Sequence, residues 1–354
     1  MKKITKLIHS KLDKKYFSNP ITRASTIFCK KIKKNIKYGL EGTEINRSLE
    51  NKINILEKSN YTSLYPSGLS AISNIYLSIL KRNDTVLLPN NIYQPNLRCI
   101  KWLSKIIGCK YYLYNKKENF KKFYKKKIKI IWVEAPGSIT FEIPNIKKIL
   151  KFSKKKKITS VFDNTYSSSI YNPLSDGFDI SLLALTKFYS GNNDLLMGSI
   201  SINNKKINKK IINSRKNQGI GVSFEDCFLI NRSIFTIKDR ILIHDKNSRK
   251  ILKWILKKHK KIIDNYYCPF KDNFFRKKIK YSSGLFTICF KNININKFIN
   301  YLKLFKIGFS WGGVISLIMK YKIKNKLYVR FYTGLENYKD LIKDINTAIF
   351  KSRY

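Results

Sequence analysis

Between Thr62 and Phe162, short apolar runs of strand length alternate with amphipathic runs of helix length, and this alternation limits the fold more than any other feature. A short strand is expected from Thr62, with further strands at 85–88, 111–114, 129–134 and 160–162. Between them fall expected helices at 71–80, 94–107 and 146–154, preceded by one at 46–57 whose Leu49, Ile53 and Leu56 share a face. Such alternation builds a parallel α/β sheet, in which ligands gather outside the carboxyl ends of the strands. The strands do end in polar or turn residues: Asn90 to Tyr93, Glu134 to Ser138, and Asp163 to Thr165.

Residues 1–43 have little periodicity and carry Pro20, Gly39 and Gly42 as breakers, so they read as an extended arm. A main unit is expected over 44–230 and a C-terminal one over 231–354. Between them, one long helix from about Glu225 to Leu256 would bridge the two. Strands at 283–288 and 328–332 and a closing helix at 341–350 suit a smaller α+β unit.

The net charge of +50 would ordinarily suggest a polyanion partner. Here the lysines are spread along the whole chain, arginine is scarce, and the dense runs at 125–127 and 154–157 adjoin helix ends or loops. Solvated surface accounts for them, and no base-stacking motif in a basic groove argues for nucleic acid. The six cysteines form no Cys-x-x-Cys pair and the three histidines join no cluster, which gives neither metal-ligand spacing nor a disulfide framework. No apolar run approaches the roughly 18 residues of a membrane span, and the N-terminus lacks the apolar core of a signal peptide. A soluble, cytoplasmic protein without metal is expected.

Two residues carry chemistry. A short apolar run delivers Asp163 at its polar end, and a second apolar segment delivers Thr186 and Lys187. A buried amine with a carboxylate one strand away fits pyridoxal 5'-phosphate: the amine condenses with the cofactor aldehyde, and the carboxylate keeps a proton on the ring nitrogen. A solvated lysine in a lysine-rich chain is the competing reading of the same spacing. The turn at Ser67 and Gly68 opens a helix whose free amides could take a phosphate, although strand-turn-helix units with Ser-Gly are common.

The wording around these residues resembles the Cys/Met-metabolism pyridoxal-phosphate enzymes, the family of cystathionine lyases and synthases. The motifs are YPSGLSAI (65–72), NNIYQPN (90–96), VEAPGSITFEIPNI (133–146), FDNTYSS (162–168), GFDISLLALTKFYSGNNDLLMG (177–198), NQGIGVSFEDCFLINRS (217–233), GFSWGG (308–313) and YVRFYTGLEN (328–337). They cover nearly the whole chain in order, and APGSITFEIPNI with SWGG is most like the bacterial cystathionine β-lyase branch.

The resemblance implies an α/β fold of type I: a large, mostly parallel seven-stranded sheet domain and a smaller C-terminal α+β domain. It implies that Lys187 bonds the cofactor and carries protons, that Asp163 pairs with the ring nitrogen and that Tyr93 stacks on the ring. Ser67, the amides of Gly68 and Leu69, and the Thr186 hydroxyl would face the phosphate. Arg330 would clamp the substrate carboxylate, with Ser310 and Trp311 beside the substrate, a small amino acid. It further implies a homotetramer of dimers in which Tyr38 serves a neighbour's site.

Four positions depart from the family. Leu40 stands where the arm's Tyr-x-Arg has its Arg, Ala184 where Ser is common, and Asn192-Asn193 where His-Ser is usual. The expected activity is β-elimination of L-cystathionine. The rivals are γ-elimination or γ-replacement on the same fold, and a decayed homologue with a non-enzymatic role.

Overall fold

The computed structural model describes residues 2–10, 20–28, 38–323 and 325–353. In chain order the first elements are α1 (Lys3–Ile8), α2 (Glu44–Glu57), β1 (Tyr61–Tyr65), α3 (Gly68–Ile79), β2 (Thr85–Pro89), α4 (Gln94–Ile107) and β3 (Lys110–Tyr114). Then come β4 (Ile128–Glu134), α5 (Ile146–Lys156), β5 (Thr159–Asp163), α6 (Pro173–Asp176), β6 (Ile180–Ala184), β7 (Gly198–Ile202) and α7 (Lys205–Asn217). The C-terminal part holds α8 (Phe224–Ser233), α9 (Ile237–Lys258), β8 (Ile263–Tyr267), β9 (Leu285–Phe290), α10 (Ile295–Tyr301), β10 (Lys306–Ile307), β11 (Leu317–Ile323), β12 (Lys326–Tyr332) and α11 (Tyr338–Lys351).

The expected alternation yields a seven-stranded sheet in the order β1-β7-β6-β5-β4-β2-β3. All its pairs are parallel except those of β7, which runs antiparallel to β1 and β6. Each central strand is apolar on both sides, so successive residues feed opposite cores. Val161 packs among Val86, Trp132 and Leu182 beside α3 and α4, whereas Phe162 packs among Leu64, Val133 and Leu183 on the other face. Burial on both faces forces the strand termini, not the strand bodies, to carry the chemistry. A second sheet, in the order β10-β11-β12-β9-β8, closes over its own core with α9, α10 and α11. Among the described residues no helix is long and apolar enough to cross a membrane.

Two regions depart from the sequence reading. The expected long helix over 225–256 is α8 and α9, separated by a 3-10 turn at Ile234–Thr236. No Gly or Pro marks that break. Its cause is tertiary: the Ser233 hydroxyl bonds the Tyr189 carbonyl, and Arg240 donates to the Phe188 carbonyl at 2.6 Å and to the Ser233 carbonyl at 2.9 Å. The break lets both helices cap the segment that carries Lys187. The second departure lies in the arm. Residues 3–8 form a helix because Leu7 is fully buried in the main core and Lys3 Nζ donates to the Ser169 carbonyl at 3.1 Å. Residues 11–19 and 29–37 of the expected arm lie outside the described residues.

Candidate functional site

Lys187 lies three residues past the end of β6, in the connection to β7, where the chain turns at the carboxyl edge of the sheet. Its Nζ donates to Ser310 Oγ at 2.9 Å and lies 5.7 Å from the Trp311 ring centroid. Burial, and then the nearby Arg330 charge, push the amine down to about 8, which makes it available as a neutral nucleophile. The loop 308–313 presses on this lysine. A Cβ added at Gly312, whose φ is +93°, would stand 2.7 Å from the Lys187 carbonyl carbon, so only glycine lets the loop approach. Trp311 is 7% exposed and wedged edge-on against Phe188, with centroids 5.3 Å apart.

Arg330 projects from β12, in register with Met319 and Thr287 on the flanking strands. Its guanidinium donates to the Ser138 and Phe309 carbonyls, each at 3.2 Å, and lies 5.0 Å from the Tyr321 ring centroid. Burial pulls its pKa below the usual range. Those two carbonyl bonds are neutral-acceptor contacts, so a carboxylate can still complete the charge balance.

The opposite wall is built from adjacent strand ends. Asp163 closes β5 and Glu134 closes β4 in direct register, and such partners in a parallel pair point to one face. The Thr165 amide donates to Asp163 Oδ1 at 3.0 Å and fixes that carboxylate. The Tyr93 amide, at the start of α4, donates to Glu134 Oε2 at 2.6 Å. Burial, reinforced by the Asp163 charge, pushes Glu134 up to about 8, and burial also raises Asp163. Two buried carboxyl groups side by side disfavour ionisation of both. The Tyr93 ring is 45% exposed, and burial followed by Asp163 and Glu134 raises its hydroxyl pKa.

At the third side, Ser67 caps α3 by accepting from the Ser70 amide at 3.0 Å, leaving Gly68 and Leu69 in the first turn. A Cβ at Gly198 would meet the Ser67 carbonyl oxygen at 2.5 Å, so β7 presses directly on this turn. The Thr186 hydroxyl accepts from the Met197 amide at 3.0 Å and donates to the Met197 carbonyl at 3.3 Å. Tyr38 stands apart. It is exposed, bridges to Thr26, and adjoins Leu40, whose Cδ1 lies 3.0 Å from where a Gly221 Cβ would be.

These groups fit pyridoxal phosphate on their own chemistry. Lys187 supplies a depressed amine. The carboxyl pair is buried, and among the described residues neither member enters an ion pair, so a protonated ring nitrogen would give it a partner. The start of the twelve-residue α3 offers amides to a phosphate. Glu134 and Arg240 were not singled out from the sequence. Glu134 was visible only as a polar strand end, because its register with Asp163 is a property of the sheet. Arg240 gave no signal within a helical pattern.

Comparison with known proteins agrees. The profile of the family described as Cys/Met metabolism PLP-dependent enzyme matches residues 4–350. The chain is 32% identical over 338 residues to an L-alanine/L-glutamate racemase of Wolbachia pipientis, covering 90% of this chain and 83% of that protein. It is 30% identical to a cystathionine beta-lyase of Haemophilus influenzae, covering 97% of each. Among solved structures, metB of Corynebacterium glutamicum superposes with a TM-score of 0.91 at 24% identity, over 99% of this chain and 98% of that one. The expected large sheet with its smaller C-terminal unit is thus the fold of these enzymes. The chain belongs to the pyridoxal-phosphate-dependent enzymes of Cys/Met metabolism.

Proposed function

We propose that this chain is a cystathionine β-lyase, cleaving L-cystathionine with one water to homocysteine, pyruvate and ammonia. The observation that carries the reading is Lys187 Nζ held 2.9 Å from Ser310 in the SWGG loop, with Arg330 close enough to depress it. When bound, the cofactor supplies an electron sink conjugated with the substrate Cα. Asp163 would hold a proton on the ring nitrogen, and the half-exposed Tyr93 ring would offer it a stacking surface. Arg330 receives the substrate carboxylate, fixing the Cα–H bond toward Lys187. The freed Lys187 amine removes the Cα proton and returns a proton to the sulfur leaving Cβ. Trp311 and Phe188 line the lysine's other side and keep water from it.

The same reading gives residues 1–43 the role of an arm, 44–230 that of the cofactor-binding unit and 231–354 that of the C-terminal unit. It has the chain working as a cytoplasmic homotetramer, with Tyr38 reaching a neighbour's site. Sedimentation at the mass of a monomer in active preparations would remove that assembly.

A racemase reading is favoured by one observation, the 32% identity to the Wolbachia pipientis enzyme. Racemisation begins with the same proton transfer but breaks no bond at Cβ. The deciding experiment supplies purified protein with pyridoxal phosphate and either L-cystathionine or L-alanine. Pyruvate with homocysteine is the expected result. 2-Oxobutyrate would transfer the assignment to γ-elimination, and D-alanine without any keto acid to racemisation.

A further inference from the structure

Glu134 has no part in the reaction above, yet it joins the parts of the site carried by Tyr93, Asp163 and Ser138. It accepts the Tyr93 amide at 2.6 Å, pairs in register with Asp163, and faces Ser138, whose carbonyl accepts from Arg330 at 3.2 Å. The 134–146 segment is also pinned to the small sheet, since Thr287 Oγ1 donates to the Ile139 carbonyl at 3.0 Å. Glu134 is 6% exposed and thus cannot be a solvated surface acid.

We infer that Glu134 is a positioning residue: through the Tyr93 amide it sets the start of α4, and with it the tilt of the Tyr93 ring over the cofactor. The side chain acts as a hydrogen-bond acceptor of defined length rather than as a charge. Its displacement toward about 8, from burial and then from Asp163, agrees with this, because a protonated Glu still accepts the amide through its carbonyl oxygen. Asp163 is then the member of the pair left to face the ring nitrogen. Two points make the arrangement specific. Tyr93 lies at the N-cap of α4 with no side-chain cap of its own, so Glu134 satisfies a helix-start amide that would otherwise be orphaned. The ring of Tyr93 is half exposed, so packing alone does not fix it.

Two conservative variants separate reach from charge. Glu134→Gln keeps the reach and cannot ionise; Glu134→Asp keeps the carboxyl group and falls short by one methylene. The readouts are the visible circular dichroism of the bound cofactor, which reports ring orientation, and cofactor affinity by equilibrium dialysis. Neither depends on which substrate is cleaved. Glu134→Gln is expected to match the parent in both. Glu134→Asp is expected to alter the dichroism and weaken cofactor binding by about three- to tenfold, the loss of one hydrogen bond, with an unchanged far-ultraviolet spectrum. The reverse ranking would overturn the inference, as would two variants that both match the parent or are both perturbed.

Discussion

At the lysine end of the site, Asp163, Glu134, Arg330 and Trp311 are buried, each is tied to a backbone or side-chain partner, and Lys187 sits among them. At the end proposed for the phosphate, Ser67, Gly68 and Thr186 are half-buried, Leu69 is 40% exposed, and Thr186 spends its proton on the Met197 carbonyl. Two of the sequence departures also fall here by resemblance: Leu40 and Ala184 each replace a residue that would donate to the phosphate. The reacting end depends on the close approach that Gly312 permits and on buried polar groups, where any loss is expensive. The anchoring end is a sum of several modest hydrogen bonds, and members of such a sum can be lost one at a time.

The sharpest way to break this contrast is at Lys187. Lys187→Ala should lower turnover by at least about 10³-fold, the scale of a lost general base, as measured by keto-acid release. Retained activity would remove the lysine from the chemistry. Arg330→Ala should raise the Michaelis constant about ten- to hundredfold while changing the rate constant less, since a charge-assisted carboxylate contact contributes about 1.5–3 kcal/mol. An unchanged Michaelis constant would place the carboxylate elsewhere.

The same pair makes a pH prediction. The Lys187 amine is pushed below 10.5 to about 8 by burial and then by Arg330, so its neutral form is present above about 8. Uptake of pyridoxal phosphate by the apoprotein needs that neutral amine. Its rate should rise about tenfold between pH 7 and 9 and then level off. In Arg330→Ala the midpoint should move upward, because one of the two causes is gone. A profile still climbing toward 10.5 in the parent protein would mean that the amine is not buried in solution.

The fold was legible because the large sheet is buried on both faces, so its strands read as apolar runs with polar ends. The C-terminal sheet was less so. β11, with Lys320 and Lys322 interrupting its apolar residues, and β8, with Asp264 and Asn265, have one wet face and blur into loop. Lys187 and Asp163 were proposed from the apolar segments that end at them and then from motif wording, and Arg330 and Ser310 from motif wording. The tie from Glu134 to Tyr93 and the caps from Ser233 and Arg240 onto the Lys187 segment escaped, because each joins elements between 41 and 52 residues apart. Only sheet register and helix packing create such contacts.

At the phosphate end, the predictions are gains rather than losses. Leu40→Arg restores the donor that the resemblance places at a neighbour's phosphate, and should tighten cofactor binding by about tenfold or more. No change would mean that the arm does not reach a second site. The smallest effect is expected from Ala184→Ser. Ala184 Cβ lies 2.9 Å from where a Gly68 Cβ would be, so residue 184 faces the turn that opens α3. A serine hydroxyl there stands beside the amides of Gly68 and Leu69 and adds a neutral donor. One such bond is worth about 0.5–1.5 kcal/mol, or about two- to tenfold in cofactor affinity. The variant should leave the rate constant at saturating cofactor unchanged, because no group at the lysine end moves. If instead turnover changes while affinity does not, the two ends are mechanically coupled across the Ala184 to Lys187 turn, and the end proposed for the phosphate cannot be treated as separate from the chemistry.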